Sequence, residues 1–162
     1  MSREDAVYKH ILLPTDGSPL SDGAVAAGIE LARALGARVT ALHVLPQAPE
    51  AGLEPWAHDD PRYARHLDQS LEKRAVEYLD AVREAALRSG VQCECSVARS
   101  CSIHGEILDE ARERGCDLIV MASHGRRGNA ASALGSETVK VATLGRIPVL
   151  VHHASPFRRQ VP

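Results

Sequence analysis

Apolar positions recur with three different periods along this chain, and each period predicts a different element. Four short stretches are apolar almost throughout: His10 to Pro14, Arg38 to Leu45, Asp117 to Ala122 and Ile147 to Val151. Runs of this length bounded by turn formers read as strands buried on both faces. Pro148 stands near the start of the last run, where a missing N–H is tolerated. Val91 to Val97 instead alternates strictly, the pattern of a strand at a sheet edge with one poorly covered face. Cys93 and Cys95 then point inward as small apolar residues.

Helical spacing fills the gaps. Val25, Ile29, Ala32 and Leu35 mark a helix that opens with Ser18 as cap and Pro19 in first position and ends at Gly36. Leu67, Leu71, Ala75, Tyr78, Val82 and Ala85 trace one face of a longer helix closing at Gly90. Ser102 caps a third, with Ile103, Ile107, Leu108 and Ala111 inside and Gly115 after it. A fourth starts at Gly135-Ser136 and carries Val139, Ala142 and Leu144. Strand and helix alternate to the end, which predicts a doubly wound α/β fold with one open parallel sheet. The expected domain spans residues 1–153, with 154–162 as a flexible tail. Residues 46–61 carry four prolines and no periodicity, and read as a long surface loop.

Composition narrows the function. The 162 residues carry 19 Lys+Arg against 21 Asp+Glu, a net charge of -2, so no basic face for DNA or anionic lipid is expected. The aromatics are Trp56, Tyr8, Tyr63, Tyr78 and Phe157, too few for a base-stacking platform. Cys93, Cys95, Cys101 and Cys116 form no CxxC pair, and the chain is long enough to need no disulfide framework. No run approaches the ~18 apolar residues of a membrane span, and the first nine residues hold no signal-peptide core. The expectation is a cytoplasmic protein with reduced thiols.

Open parallel sheets bind ligands beyond the C-terminal ends of their strands, where the winding direction reverses. Two strand ends stand out: Pro14-Thr15-Asp16-Gly17-Ser18, and Ala122-Ser123-His124-Gly125 leading through Arg126 to Leu134 into Gly135-Ser136. Gly125 and Gly128 would let backbone N–H groups approach an anion, and the helix start at Gly135-Ser136 favours negative charge. The segment is neither GxGxxG nor GxxxxGK[ST], so the common dinucleotide and P-loop motifs are absent. On spacing alone the glycines could equally serve only as a strand-to-helix connection. His43, His104 and His124 are scattered without HxxxH or triad spacing, and His124 alone falls at the phosphate loop.

The segments YKHILLPTDGS, ALHV and CDLIVMASHGRRGNAASALGSETVKV, in this order, resemble the universal stress protein family over about residues 7 to 153. The resemblance implies an open five-stranded parallel sheet with flavodoxin-like α/β/α layers, of the adenine nucleotide alpha hydrolase type. In one branch it implies ATP held by G-x-x-G, nine residues, then G-[ST]. Here Ala122 replaces the first glycine, and Ala130, Ala131 and Ala133 stand where relatives carry larger aliphatics. By position, Pro14 and Val44 would flank the adenine, and Asp16, beside Thr15, would meet ribose hydroxyls or a metal. Met121 and Ala122 would line the floor, while Gly125, Gly135, Ser136, Glu137 and Thr138 would offer donors to phosphates. Asp16 could instead serve its own turn, and Ser136 could be a cap alone. The Glu137 carboxylate would compete with phosphate for the helix dipole, so Arg126, Arg127 or Mg²⁺ would have to offset it.

The resemblance also implies a homodimer through Val149 to Val151. The leading expectation is a nucleotide-responsive regulatory or stress-resistance module. The alternatives are a slow ATPase or phosphotransfer enzyme and a dimerising module that has lost ATP.

Overall fold

The computed structural model describes residues 7–47, 61–125 and 134–153, which form nine elements: β1 (His10–Pro14), α1 (Pro19–Leu35), β2 (Arg38–Pro46), α2 (Pro61–Arg88), β3 (Cys93–Ser100), α3 (Ile103–Glu113), β4 (Leu118–Ala122), α4 (Ser136–Leu144) and β5 (Val149–His152). The strands lie in the order β3-β2-β1-β4-β5 and all pair in parallel. The expected α/β sheet is therefore present, with the alternating strand β3 at one edge and β5 at the other. Most of the 46–61 loop and the tail from 154 lie outside the described residues.

Two aliphatic cores sandwich the sheet. Ile11, Leu13, Val39 and Val120 face α1 and α2, meeting Val25, Ile29, Leu79 and Val82. Leu12, Leu42, Ile119 and Met121 face α3 and α4, meeting Ile107, Ala111 and Val141. Alternate residues of one strand thus serve opposite cores, the reason the strands are apolar throughout. Asp117 ties the lower end of β1 to the β4 side, accepting the N–H groups of Lys9 at 2.8 Å and His10 at 3.0 Å. Among the described residues no helix is long and apolar enough to cross a membrane.

Helix ends follow their sequence signals. The Ser18 hydroxyl accepts the N–H of Ser21, and Gly36 closes α1 at φ 67°. The Ser102 hydroxyl accepts the N–H of Gly105 at the start of α3. Inner faces follow the expected periodicity less closely. Among the described side chains of α2 the buried positions are Ala75, Leu79, Val82 and Ala86, so Ala85 gives way to its neighbour. In α4 the inward residues are Thr138 and Val141, whereas Val139, Ala142 and Leu144 are exposed. The helix is only nine residues long, so a tertiary contact through Thr138 sets its rotation and overrides the apolar count.

Cys93 and Cys95 pack against the α1–α2 core, and Cys116 is buried in the other. Burial pushes the thiols of Cys93 and Cys116 up to about 12. At neutral pH such groups are thiols and not nucleophilic thiolates. A thiol reagent at pH 8 should therefore label exposed Cys101 in the native protein and reach Cys116 only on unfolding, as read by peptide mass spectrometry.

Gly17 turns β1 into α1 at φ 70°, and a Cβ there would land on the ring of Tyr78 from α2. Gly90 has the same φ with nothing within 4 Å of its Cβ direction. Gly90→Ala should cost only the left-handed penalty of about 1–2 kcal/mol. Gly17→Ala should add an overpacking cost of about 1–3 kcal/mol. Paired urea denaturation curves measure the difference.

Candidate functional site

From β1 the chain winds outward through β2 to β3, then α3 crosses back to place β4 on the other side of β1. The loops after β1 and β4 therefore diverge from adjacent strand ends and leave a crevice. On the β1 side, the Thr15 N–H continues the ladder to the carbonyl of Leu42 at 2.9 Å. The Thr15 hydroxyl accepts the Gly17 N–H at 3.1 Å and bonds the Ser21 hydroxyl at 2.9 Å. Asp16 accepts the Ser18 N–H on Oδ1 at 3.0 Å, so it does serve its own turn. Its other oxygen faces the β4 loop, where a Cβ built on Gly125 would come within 2.9 Å of Oδ2. Asp16 and Gly125 are thus neighbours across the crevice.

The β4 side is drawn tight. Ser123 donates its N–H to the His152 carbonyl at 2.8 Å, and Gly135 donates to the Ser123 carbonyl at 2.7 Å. The Thr138 hydroxyl donates to the Ala122 carbonyl at 3.0 Å and is buried. A Cβ on Gly135 would sit 3.2 Å from the Ser123 oxygen and 3.3 Å from His124 Cα, so a bare backbone lets α4 start this close to β4. Gly135, not Ser136, is the N-cap, and it supplies no side-chain cap; Ser136 is the first helical residue and is exposed. The first-turn N–H groups of α4 consequently meet no side-chain oxygen from their own cap residue. His124 bonds the Ser123 hydroxyl through Nδ1 at 3.3 Å, while its buried Nε2 has no hydrogen-bond partner among the described residues.

Of the expected site residues, Pro14, Thr15, Asp16, Met121, Ala122, Gly125, Gly135 and the first turn of α4 come together at the ends of β1 and β4. Val44, half-buried near the end of β2, packs against the α3–α4 core beside them. Ala122 adopts no positive φ, so alanine replaces the first motif glycine without backbone strain. Arg126, Arg127 and the alanines of the connecting segment lie outside the described residues. Among the described residues no group of three potential metal-binding side chains occurs.

Glu137 departs from its expected setting. Its carboxylate turns to α3, where Oε2 accepts the backbone N–H of His104 at 2.9 Å and the ring Nδ1 at 3.0 Å, and Oε1 accepts from Lys140 at 2.9 Å. Burial opposes its ionisation, but the hydrogen bonds from Lys140 and His104 outweigh this and hold the carboxyl below its ordinary range. The Ser102 hydroxyl lies 3.3 Å from His104 Nε2. Sequence spacing missed this cluster because Glu137 comes from a different helix. The signal available was a serine cap followed two residues later by histidine.

The universal stress protein family model matches residues 7–153. The chain is 31% identical to the universal stress protein YxiE of Bacillus subtilis over 90% of its own length and 99% of that protein. It superposes on the universal stress protein UspA from Lactobacillus plantarum with a TM-score of 0.72 at 25% identity, covering 91% of this chain and 99% of the other. Two further structures show the same fold. A universal stress protein in complex with cAMP gives a TM-score of 0.67 at 22% identity, covering 93% and 100% of the two chains. One from Archaeoglobus fulgidus in complex with dAMP gives 0.60 at 20% identity, covering 90% and 98%. With a family match over nearly its whole length, this chain belongs to the universal stress protein family.

Proposed function

We propose that the crevice between the ends of β1 and β4 binds an adenine nucleotide, ATP with Mg²⁺, and that occupancy regulates the protein as a stress-response module. The observation that carries this reading is the start of α4. A nine-residue helix begins without a side-chain cap, directly over a glycine-lined strand end. Backbone N–H groups at a helix N-terminus form a site for phosphate oxygens. Gly125 and Gly135 bring bare backbone close to its neighbours, where a Cβ would meet Asp16 Oδ2 at 2.9 Å and the Ser123 oxygen at 3.2 Å, and the buried Nε2 of His124 lies at the same loop. The family neighbours described with cAMP and dAMP add support for an adenine nucleotide.

In this reading Pro14 and Val44 flank the base, and Asp16 approaches the ribose or the metal. Met121 and Ala122 form the floor. Phosphates meet the backbone of Gly125 and of Ser136, Glu137 and Thr138. Mg²⁺ binds chiefly through phosphates and needs few protein ligands, so the Asp16 carboxylate suits it without a preformed metal cluster. No acid–base pair stands among these residues, which favours binding over rapid phosphate transfer. The cysteine pattern supports a cytoplasmic setting.

The same reading includes a homodimer through β5. Leu150 is 40% exposed on this outer strand, and Val7, Tyr8, Leu31, Leu35 and Pro148 join it around an open apolar groove of about 530 Å³. An apolar sheet edge is normally covered. Light scattering at micromolar concentration should give twice the chain mass, and Leu150→Lys should give one.

Nucleotide binding is tested by acid extraction of gently purified protein, followed by ATP titration calorimetry with Mg²⁺. Gly135→Val should weaken binding at least about tenfold, because its side chain would press on the Ser123 oxygen and His124 and displace the start of α4, which presents the N–H groups. No extracted nucleotide and no heat at millimolar ATP would leave the module without its ligand, consistent with Ala122 having closed the site.

A further inference from the structure

We propose that Ser102, His104 and Glu137 form a nucleophile, base and orienting carboxylate that hydrolyse small activated carboxylic esters through an acyl-serine intermediate. The site borders the proposed nucleotide crevice, sharing Glu137 with it, but its chemistry does not depend on nucleotide being bound. Ser102 Oγ lies 3.3 Å from His104 Nε2, and His104 Nδ1 lies 3.0 Å from Glu137 Oε2. An ionised carboxylate only accepts, so Nδ1 carries the proton and Nε2 turns its lone pair toward the serine. This is the relation of nucleophile, base and third group found across unrelated hydrolytic folds. A serine–histidine distance of 3.3 Å without substrate falls within the looser range such pairs show.

The carboxylate is itself fixed, by the His104 N–H and by Lys140. Capping α3 requires only the bond from Gly105 to Ser102 Oγ, and joining α4 to α3 requires only the bond from the His104 N–H to Glu137. Neither role needs the imidazole between the two oxygens. The imidazole is 24% exposed and Glu137 33%, so a small ester can reach them. Ile103, next to Ser102 in the chain, is a half-buried apolar residue packed against the α3–α4 core, as a short acyl group would require.

The chemistry balances with water as the only co-substrate. Ser102 Oγ attacks the ester carbonyl carbon while its proton passes to His104 Nε2. Gly105 N–H, which engages the resting hydroxyl at 3.3 Å, is the donor for the oxyanion, while the His104 and Glu106 N–H groups stay with Glu137 and the Ser102 carbonyl. The C–O bond to the leaving alcohol breaks, and that alcohol takes the proton from Nε2. Water then adds to acyl-Ser102, again giving its proton to Nε2. The carboxylic acid leaves as the proton returns to Oγ.

The test uses the full chain without nucleotide, with p-nitrophenyl acetate as substrate and diisopropyl fluorophosphate as label. The proposal expects saturable hydrolysis and a single adduct mapping to Ser102. Ser102→Asn keeps a capping oxygen and hence the fold, and should abolish both. His104→Gln should lower kcat by about 10²-fold, the usual contribution of a general base. Glu137 is a positioning residue: Glu137→Gln should lower kcat about tenfold with KM unchanged, less than the loss of the base itself, and Glu137→Asp should restore part of it. Hydrolysis undiminished in Ser102→Asn, label spread over lysines and other histidines, or no hydrolysis and no label, would overturn the assignment.

Discussion

Everything at the top of this molecule depends on β1 occupying the centre of the sheet. Its Ile11, Leu12 and Leu13 are fully buried, alternating between the two cores, so the strand has no freedom to slip by one residue without exchanging its partners on both faces. Ladder bonds from β2 and β4 on either side fix it further. Because β1 is the strand from which the chain departs in one direction and past which it later returns, its C-terminal end is where the loops part. The crevice is a consequence of strand order, and it would exist with other residues lining it. What the residues add is its lining: a turn closed by Asp16 and a glycine-bordered helix start.

The fold was legible in the sequence because each strand and helix carries its own local signal. Apolar runs, cap serines and closing glycines locate the elements, and the single alternating strand identifies an edge. The rotation of α4 was not legible. Val139, Ala142 and Leu144 follow an apolar pattern, yet the hydrogen bond from the Thr138 hydroxyl to the Ala122 carbonyl turns another face inward. A polar tertiary contact of this kind has no periodic trace. For the same reason the candidate site was legible at the level of strand ends and loops, but the direction of individual side chains was not. Asp16 divides its oxygens between its own turn and the face toward Gly125, and the Thr138 hydroxyl is already engaged.

The contact between α3 and α4 is where local reading failed most instructively. Scattered histidines carry little information in one dimension, and His104 and Glu137 are separated by a whole strand and the crossing beyond it. The sheet order places both helices on one face, and the carboxylate of one then reaches the first turn of the other. Two helix starts are thereby coupled through a single acidic residue, so any group that moves α4 also moves the partner of His104.

The placement of Glu137 also resolves an electrostatic conflict in its sequence position. An acidic residue in the first turn of a helix normally satisfies that helix's own dipole and would repel a phosphate approaching it. Here the carboxylate is drawn sideways to the first turn of α3 and matched by Lys140, which keeps it ionised while directing its charge elsewhere. The start of α4 keeps its N–H groups beneath a glycine cap that contributes no side-chain oxygen. In the proposed reading a chain with a net charge of -2 meets phosphate through backbone donors and not through a basic surface, and the Glu137 carboxylate in the first turn is occupied by a neighbouring helix.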